Sequence, residues 1–247
     1  MTVPPERDAY GEMMLAVLEG EANVFEIVER DDGLIGASVM GPKLYLAPFR
    51  RWPAHHRQAM GLVRGRTLDC GAGAGRVSLY LQDRGREVVA IDNSPGAIEV
   101  CRRRGVRDAR LVDFADVDES LGSFDTIVLL GNNFGLFASP TKARRLLRRL
   151  RKLTSDDGRI LAESRDVSTG PGAAAPWHVE YRQRNIDRGR LPGQIRLRIR
   201  FRKIVGPWFD YPMVSPAEMV EILDGTGWRL DRTIDSDDTY VAVIEKT

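Results

Sequence analysis

Arg66-Thr-Leu-Asp-Cys-Gly-Ala-Gly-Ala-Gly-Arg76 is the stretch that decides how the rest of the chain is read. Thr67 and Leu68 begin a short apolar run ending in Asp69, after which Gly71, Gly73 and Gly75 alternate with small residues. A strand that runs straight into glycines brings bare backbone close to a ligand as the chain turns into a helix, whose first amides favour an anion. The G-x-G-x-x-G dinucleotide fingerprint does not fit, because Arg76 stands where its third glycine belongs. What remains is an acid two residues ahead of three alternating glycines.

Outward from this loop the chain alternates strand and helix. Upstream, residues 6–19 carry Ala9, Met13, Leu15, Ala16 and Leu18 at roughly helical spacing, stopping near Gly20. The stretch from there to Pro53 is rich in Gly and Pro and reads as loop, with Tyr45, Phe49 and Trp52 as candidate lid aromatics. Residues 54–63 read as a helix that leads into the first strand. Downstream, 77–81 opens a helix that stops at Gly85, and Glu87–Ile91 is a β-branched strand ending in Asp92. Ser94 and Pro95 form an N-cap and first-turn proline, and Gly105 closes that helix. Strands over 109–112, 124–130 and 159–162 follow, with a helix from Ser139-Pro140 whose Leu146, Leu147, Leu150 and Leu153 make one apolar face. Such alternation predicts an α/β protein with a parallel sheet. After Glu163 the rhythm breaks into a Gly/Ala/Pro-rich stretch (166–176), a helical segment (177–188) and a strictly alternating strand (194–203). A capping box at Ser215-Pro216-x-Glu218 starts a last helix, and strands over 228–234 and 240–245 end the sequence.

With 247 residues, 43% of them apolar and 29% charged, the chain has the composition of a soluble globular protein. A net charge of +2 makes no general case for a polyanionic partner, and only five of the 37 basic residues are lysines. Two cysteines, Cys70 and Cys101, exclude a disulfide scaffold and suit a reducing compartment. No signal-peptide pattern and no apolar run of the ~18 residues a span needs are present, so the expected location is cytoplasmic, away from membranes.

The candidate site residues fall at the carboxyl ends of successive strands, where open parallel sheets bind ligands. Asp92 is placed to accept from ribose hydroxyls, and Asp113-Phe114 to take an adenine amino group and pack on its ring. In order, the motifs D-C-G-A-G-A-G (69–75), V-V-A-I-D-N (88–93) and L-V-D-F (111–114) resemble those of class I S-adenosylmethionine (SAM)-dependent methyltransferases, a resemblance covering about residues 62–245. It implies a Rossmann-like seven-stranded sheet, mostly parallel with an antiparallel final strand, and SAM as cofactor. By position, Gly71, Ala72, Gly73 and Gly75 would hold the methionine end, with Asp69 serving its ammonium directly or through water. Asp92 and Asn93 would hold the ribose, Asp113 and Phe114 the adenine, and Leu130 and Gly131 complete the cofactor set. No metal ligands are expected.

The same reading divides the chain into an N-terminal helical and loop cover (1–61), a SAM-binding core (62–165 and 212–247) and an inserted antiparallel and helical cap (166–211). Both covers resemble the substrate-covering segments of small-molecule methyltransferases. Gly131-Asn132-Asn133-Phe134 is similar to the corresponding segment of small-molecule N-methyltransferases and lacks the paired prolines of nucleic-acid amino-methylating enzymes. The expected substrate is therefore a small molecule with an N or O nucleophile, and a homodimer is compatible with the sequence. The rival is RNA, met by the basic helix 141–153 and the arginine row of strand 194–203. Aminopropyl transfer would want acids after the fourth strand, where Asn132 and Asn133 stand instead. Asn132 and Asn133 are the expected acceptor-positioning residues and His178 the expected base, with Tyr10 and Glu163 behind it; His55 and His56 are assigned to the surface.

Overall fold

The computed structural model describes residues 1–38, 41–170 and 172–247; Val39, Met40 and Pro171, the last within the Gly/Ala/Pro-rich stretch, lie outside the described residues. The helices are α1 (Ala9–Leu18), α2 (Gly41–Tyr45), α3 (Ala54–Met60), α4 (Arg76–Gln82), α5 (Pro95–Arg103), α6 (Pro140–Lys152), α7 (Pro176–Asp187) and α8 (Pro216–Leu223). The strands are β1 (Glu26–Arg30), β2 (Ile35–Ser38), β3 (Thr67–Cys70), β4 (Val88–Asp92), β5 (Ala109–Leu111), β6 (Phe124–Leu129), β7 (Thr154–Arg165), β8 (Gln194–Phe201), β9 (Ile204–Val205), β10 (Phe209–Pro212), β11 (Trp228–Ser236) and β12 (Thr239–Lys246). A seven-stranded sheet has the order β11-β12-β7-β6-β3-β4-β5, mostly parallel, with β12 antiparallel to both of its neighbours. A second, five-stranded sheet has the order β10-β8-β1-β2, with β9 paired to β8.

The chain divides into two compact units. One comprises Met1–Pro53, Gly65–Val117 and Leu197–Phe209; the other comprises Ala54–Arg64, Asp118–Arg196 and Asp210–Thr247. In the first, β3, β4 and β5 run parallel. Every residue of β4 is buried, which is what a strand covered on both faces requires and why Val88–Ile91 reads as one apolar run. Helix α5 starts at Ser94, whose side chain accepts from Ala97 N, with Pro95 in its first turn. Helix α1 docks on α5 through glycines: a Cβ on Gly11 would lie 2.7 Å from Gly96 Cα, so neither position has room for a side chain. Asp8 locks this contact, its carboxylate accepting from Gly11 N at 2.9 Å, Gly96 N at 2.8 Å and Ser94 Oγ at 2.8–2.9 Å.

One expectation for this unit is corrected. The stretch before Pro53 is not all loop: β1 and β2 form a hairpin whose β1 pairs antiparallel with β8, placing Glu29 opposite Arg198. Periodicity missed it because β1, Glu26–Arg30, does not alternate: each face mixes apolar and charged residues, and the strand is stitched by Glu29 to Arg198 and Arg200. Two of the candidate lid aromatics are packed within the unit. Trp52 is buried, its Nε1 donating to Ala47 O at 2.8 Å, and Phe49 stacks on Tyr80 of α4 with centroids 4.0 Å apart.

In the second unit β6 and β7 are parallel and Ile127, Val128 and Leu129 are fully buried. Thr126 Oγ1 accepts from Arg64 N and donates to Arg64 O, fixing the end of the segment that carries α3. Helix α6 buries Ala143, Leu146, Leu147 and Leu150, each buried leucine contributing about 1.5–3 kcal/mol. Its arginines are engaged as well: Arg144 donates to the carbonyl of Glu221 in the last turn of α8, and Arg148 and Arg151 to those of Gly225 and Gly227 beyond it. The predicted capping box of α8 is present, Ser215 and Glu218 each bonding the other's backbone N–H.

Candidate active site

In the first unit the site residues gather at the carboxyl ends of β3, β4 and β5. Gly71, Gly73 and Gly75 take φ of +68°, +54° and +71°, a left-handed path that glycine adopts without strain. The loop is held from several sides. Gly73 N donates to Asp92 Oδ2 at 2.9 Å, and Cys101 Sγ donates to Gly73 O at 3.2 Å. A Cβ on Gly73 would fall 2.7 Å from the Tyr10 hydroxyl, so α1 presses directly on the loop backbone. Asp69, expected to serve the cofactor's ammonium, is buried and bonds within the protein: its Oδ2 accepts from Ser78 Oγ at 2.7 Å and Ser78 N at 3.2 Å. It thereby caps α4, whose N-cap Gly75 has no side chain to do so.

Asp92 Oδ1 accepts from Ser94 N at 3.0 Å, and burial pushes its pKa up to about 6; the Ser94 and Gly73 amides oppose the rise and the charge of Asp8 adds to it. Burial likewise raises Asp69 to about 6 against the Ser78 hydrogen bond and the charge of Arg76. Asn93 Nδ2 donates to Asp113 Oδ2 at 3.4 Å, while Asp113 Oδ1 accepts from Ala115 N at 2.7 Å and starts the turn that buries Phe114. These residues fit SAM in kind. The loop carries nothing larger than the methyl groups of Ala72 and Ala74, and it is backed by Tyr10. A carboxylate has about four lone-pair sites, so Asp92 keeps capacity for a hydroxyl after its backbone bonds.

In the second unit β6 ends at Leu129, and the chain leaves it through buried Leu130, then Gly131 at φ +85° and Asn132 at φ +65°. Glu163, two residues before the end of β7, secures this turn: its Oε2 accepts from the amides of both Gly131 and Asn132, the second at 2.9 Å. The same carboxylate meets two imidazoles of α3, His55 Nε2 at 3.1 Å from Oε1 and His56 Nε2 at 2.9 Å from Oε2. The surface assignment of these histidines is therefore overturned, since they are 5% and 2% exposed. Burial alone would raise the Glu163 pKa, but the hydrogen bonds from His55 and His56, the charge of His56 and the Asn132 amide hold it well below the usual carboxylate range. Asn133 Oδ1 lies 3.1 Å from the Tyr211 hydroxyl, which is also 3.3 Å from Gly131 O. Asn132 Oδ1 is buried with no hydrogen-bond partner among the described residues. His178 lies half-buried on α7, its ring centroid 6.2 Å from that of Trp177.

Sequence reasoning missed His55, His56 and Tyr211. The one available signal was the His-His doublet on a helix that precedes the glycine-loop strand, and helical spacing alone did not say which way the pair faces.

Comparison with known proteins bears on this arrangement. Residues 67–158 match a family described as a methyltransferase domain. The demethylmenaquinone methyltransferase of Renibacterium salmoninarum is 32% identical over 149 residues, 57% of this chain and 59% of that protein. The chain thus spans less than two thirds of the length of the curated relatives it matches. Among solved structures, a SAM-dependent methyltransferase from Bacteroides fragilis in complex with S-adenosyl-L-homocysteine superposes with a TM-score of 0.83 at 25% identity, covering 100% of this chain and 98% of that one. The CcbJ methyltransferase of Streptomyces caelestis shares the fold, with a TM-score of 0.60 at 14% identity, covering 84% of this chain and 96% of its own. The strand order with its antiparallel β12, the glycine loop and these likenesses agree: residues 67–158 carry a methyltransferase domain, and the chain has the fold of SAM-dependent methyltransferases.

Proposed function

We propose that the whole protein is a SAM-dependent methyltransferase acting on a small molecule with an N or O nucleophile. Bound SAM supplies a methyl group on a sulfonium, an electrophile with a good leaving group. Gly71, Ala72, Gly73 and Gly75 present backbone to the methionine end, Asp92 and Asn93 take the ribose hydroxyls, and Asp113 and Phe114 take the adenine. Asp69 acts one step back, by holding the start of α4.

Asn132 and Asn133 position the acceptor. The observation that carries this assignment is the buried Asn132 Oδ1 without a partner among the described residues, which costs about 1–3 kcal/mol until a donor arrives. A donor N–H or O–H on the acceptor answers it. Glu163 and Tyr211 keep the turn in the geometry that aims this oxygen, and alignment is where an in-line displacement gains most, effective molarities reaching roughly 10⁵–10⁸ M.

The arginine rows speak for a small molecule over RNA. On and just after β8, Arg198 and Arg200 share Glu29, Arg202 pairs with Glu21 and Arg196 with Asp210, so three carboxylates offset most of the charge of these four arginines. On α6, Arg144, Arg148 and Arg151 each spend a donor on the carbonyls of Glu221, Gly225 and Gly227. A phosphate-binding face needs its cations unspent. The relatives named as acting on demethylmenaquinone support a small-molecule acceptor too.

The test uses SAM labelled in the methyl group, incubated with the protein and either a small-molecule extract or total RNA. Label is expected in low-molecular-weight product. Stoichiometric label in RNA overturns the reading.

A further inference from the structure

We propose that His55, His56 and Glu163 form a binding site for one divalent metal ion, with zinc the best-matched ion. The two histidines are neighbours on α3, where successive side chains point about 100° apart, so their tips diverge unless they share a target. Here they converge. Their ring centroids are 4.4 Å apart at an interplanar angle of 71°, and each turns Nε2 toward the same carboxylate, at 3.1 Å and 2.9 Å. One donor atom from each of the three residues lies within 4.8 Å of the others, and all three residues are buried.

The carboxylate is prepared for this task. Its Oε2 already accepts the amides of Gly131 and Asn132, the outer hydrogen bonding that ligating carboxylates receive. Accepting from several N–H groups marks it as an ionised, acceptor-only group. The carboxylate's charge lies away from water and needs a positive partner, either a proton on one imidazole or a cation. A cation seated between the Nε2 atoms and the carboxylate meets that need.

Two imidazoles and one carboxylate make a borderline nitrogen and oxygen set, which suits Zn²⁺ and leaves a fourth position for water or a further ligand. Tetrahedral zinc with bonds of about 2.0–2.1 Å holds its donors roughly 3.3 Å apart. The imidazole-to-carboxylate separations, 3.1 Å to Oε1 and 2.9 Å to Oε2, are close to that value, and one donor atom from each residue lies within 4.8 Å of the others. The ion would tie α3 to the Gly131-Asn132 turn through Glu163. The competing occupant is a proton, which would make one imidazole an imidazolium hydrogen-bonded to the carboxylate. The proposal stands apart from the methyl acceptor and does not depend on it.

The experiment takes the full chain, freed of any histidine tag, dialyses it against a chelator, and titrates it with ZnCl₂ by calorimetry and mass spectrometry of the intact protein. The expected result is saturation at one zinc per chain with a raised Tm, as binding to the native state requires. His56→Gln and Glu163→Gln should each weaken binding by roughly tenfold or more, since even the partners of ligands cost that much. Should Glu163→Gln fail to fold, wild-type stoichiometry and His56→Gln decide alone. No zinc uptake by the wild type, or equal uptake by wild type and His56→Gln, overturns the site and leaves the proton as occupant.

Discussion

Asp92 and Glu163 are the same chemical group in nearly the same degree of burial, 8% and 6% exposed, and each accepts two backbone amides. Yet the first is pushed up to about 6 and the second is held far below the ordinary range. Burial is the largest influence on both. At Asp92 two amides do not offset it and the Asp8 charge adds to the rise, whereas at Glu163 two imidazoles outweigh it. The difference separates two jobs. A carboxylate with bonds still to make can recognise a ligand hydroxyl; one that is already surrounded by donors serves as an anchor for the chain around it.

The largest way to break this comparison is to remove the anchor. Glu163→Ala leaves two buried imidazoles and the Gly131 and Asn132 amides without their acceptor, and removing one partner of a buried pair costs about 3–5 kcal/mol. Urea denaturation of wild type and variant checks this. Asp92→Ala should lose far less in the same assay, because its buried charge is itself unfavourable; equal losses would erase the distinction between anchor and recognition group.

Asp92→Ala should instead show its effect on ligand. Losing a hydrogen bond to a charged acceptor costs about 1.5–3 kcal/mol, so SAM affinity by calorimetry should fall by roughly ten- to more than a hundredfold. Unchanged affinity would remove Asp92 from the ribose.

The pH dependence sharpens the contrast at a smaller scale. The folded pKa of Asp92, about 6, lies above its ordinary 3.8. The folded state therefore binds the proton more tightly, and this group's contribution to stability falls as pH rises from 3.8 through 6. Recognition runs the opposite way, since the ionised form is the stronger acceptor: SAM affinity should be level above pH 6 and weaken by about 1.4 kcal/mol on reaching pH 5. Glu163 stays ionised throughout that window. Asp92→Asn should flatten the profile; a wild-type profile that is already flat would show that Asp92 does not titrate in the ligand-binding range.

How far each region was legible follows from how far apart its residues lie. Asp69, the three glycines, Asp92 and Asp113 sit within about one motif-length of each other's strands, and strand-then-glycine or strand-then-acid is a local pattern that needs no tertiary knowledge. Even there, the engagement of Asp69 by Ser78 was hidden, because a carboxylate at that position reads the same whether it faces a ligand or a helix end. The second region is assembled from residues 55, 56, 131, 132, 163 and 211, whose meeting depends on which strands are neighbours. The hairpin of β1 and β2 was missed for a related reason: its partner β8 lies some 170 residues away, as Glu29 and Arg198 show.

The smallest expected effect probes what holds the turn besides Glu163. Tyr211 packs its ring against Gly135, where an added Cβ would meet ring atoms at 2.7 Å, and its hydroxyl lies within reach of Asn133 Oδ1 and Gly131 O. Tyr211→Phe keeps the ring contact and deletes only the hydroxyl, worth about 0.5–1.5 kcal/mol. If that bond aims Asn133, the loss belongs to alignment, so turnover should drop roughly two- to tenfold while SAM affinity holds. The readout is kcat at saturating SAM beside a calorimetric SAM titration. An unchanged kcat would mean that Glu163 alone fixes the turn, and the anchor would then be the whole of the device that positions Asn132 and Asn133.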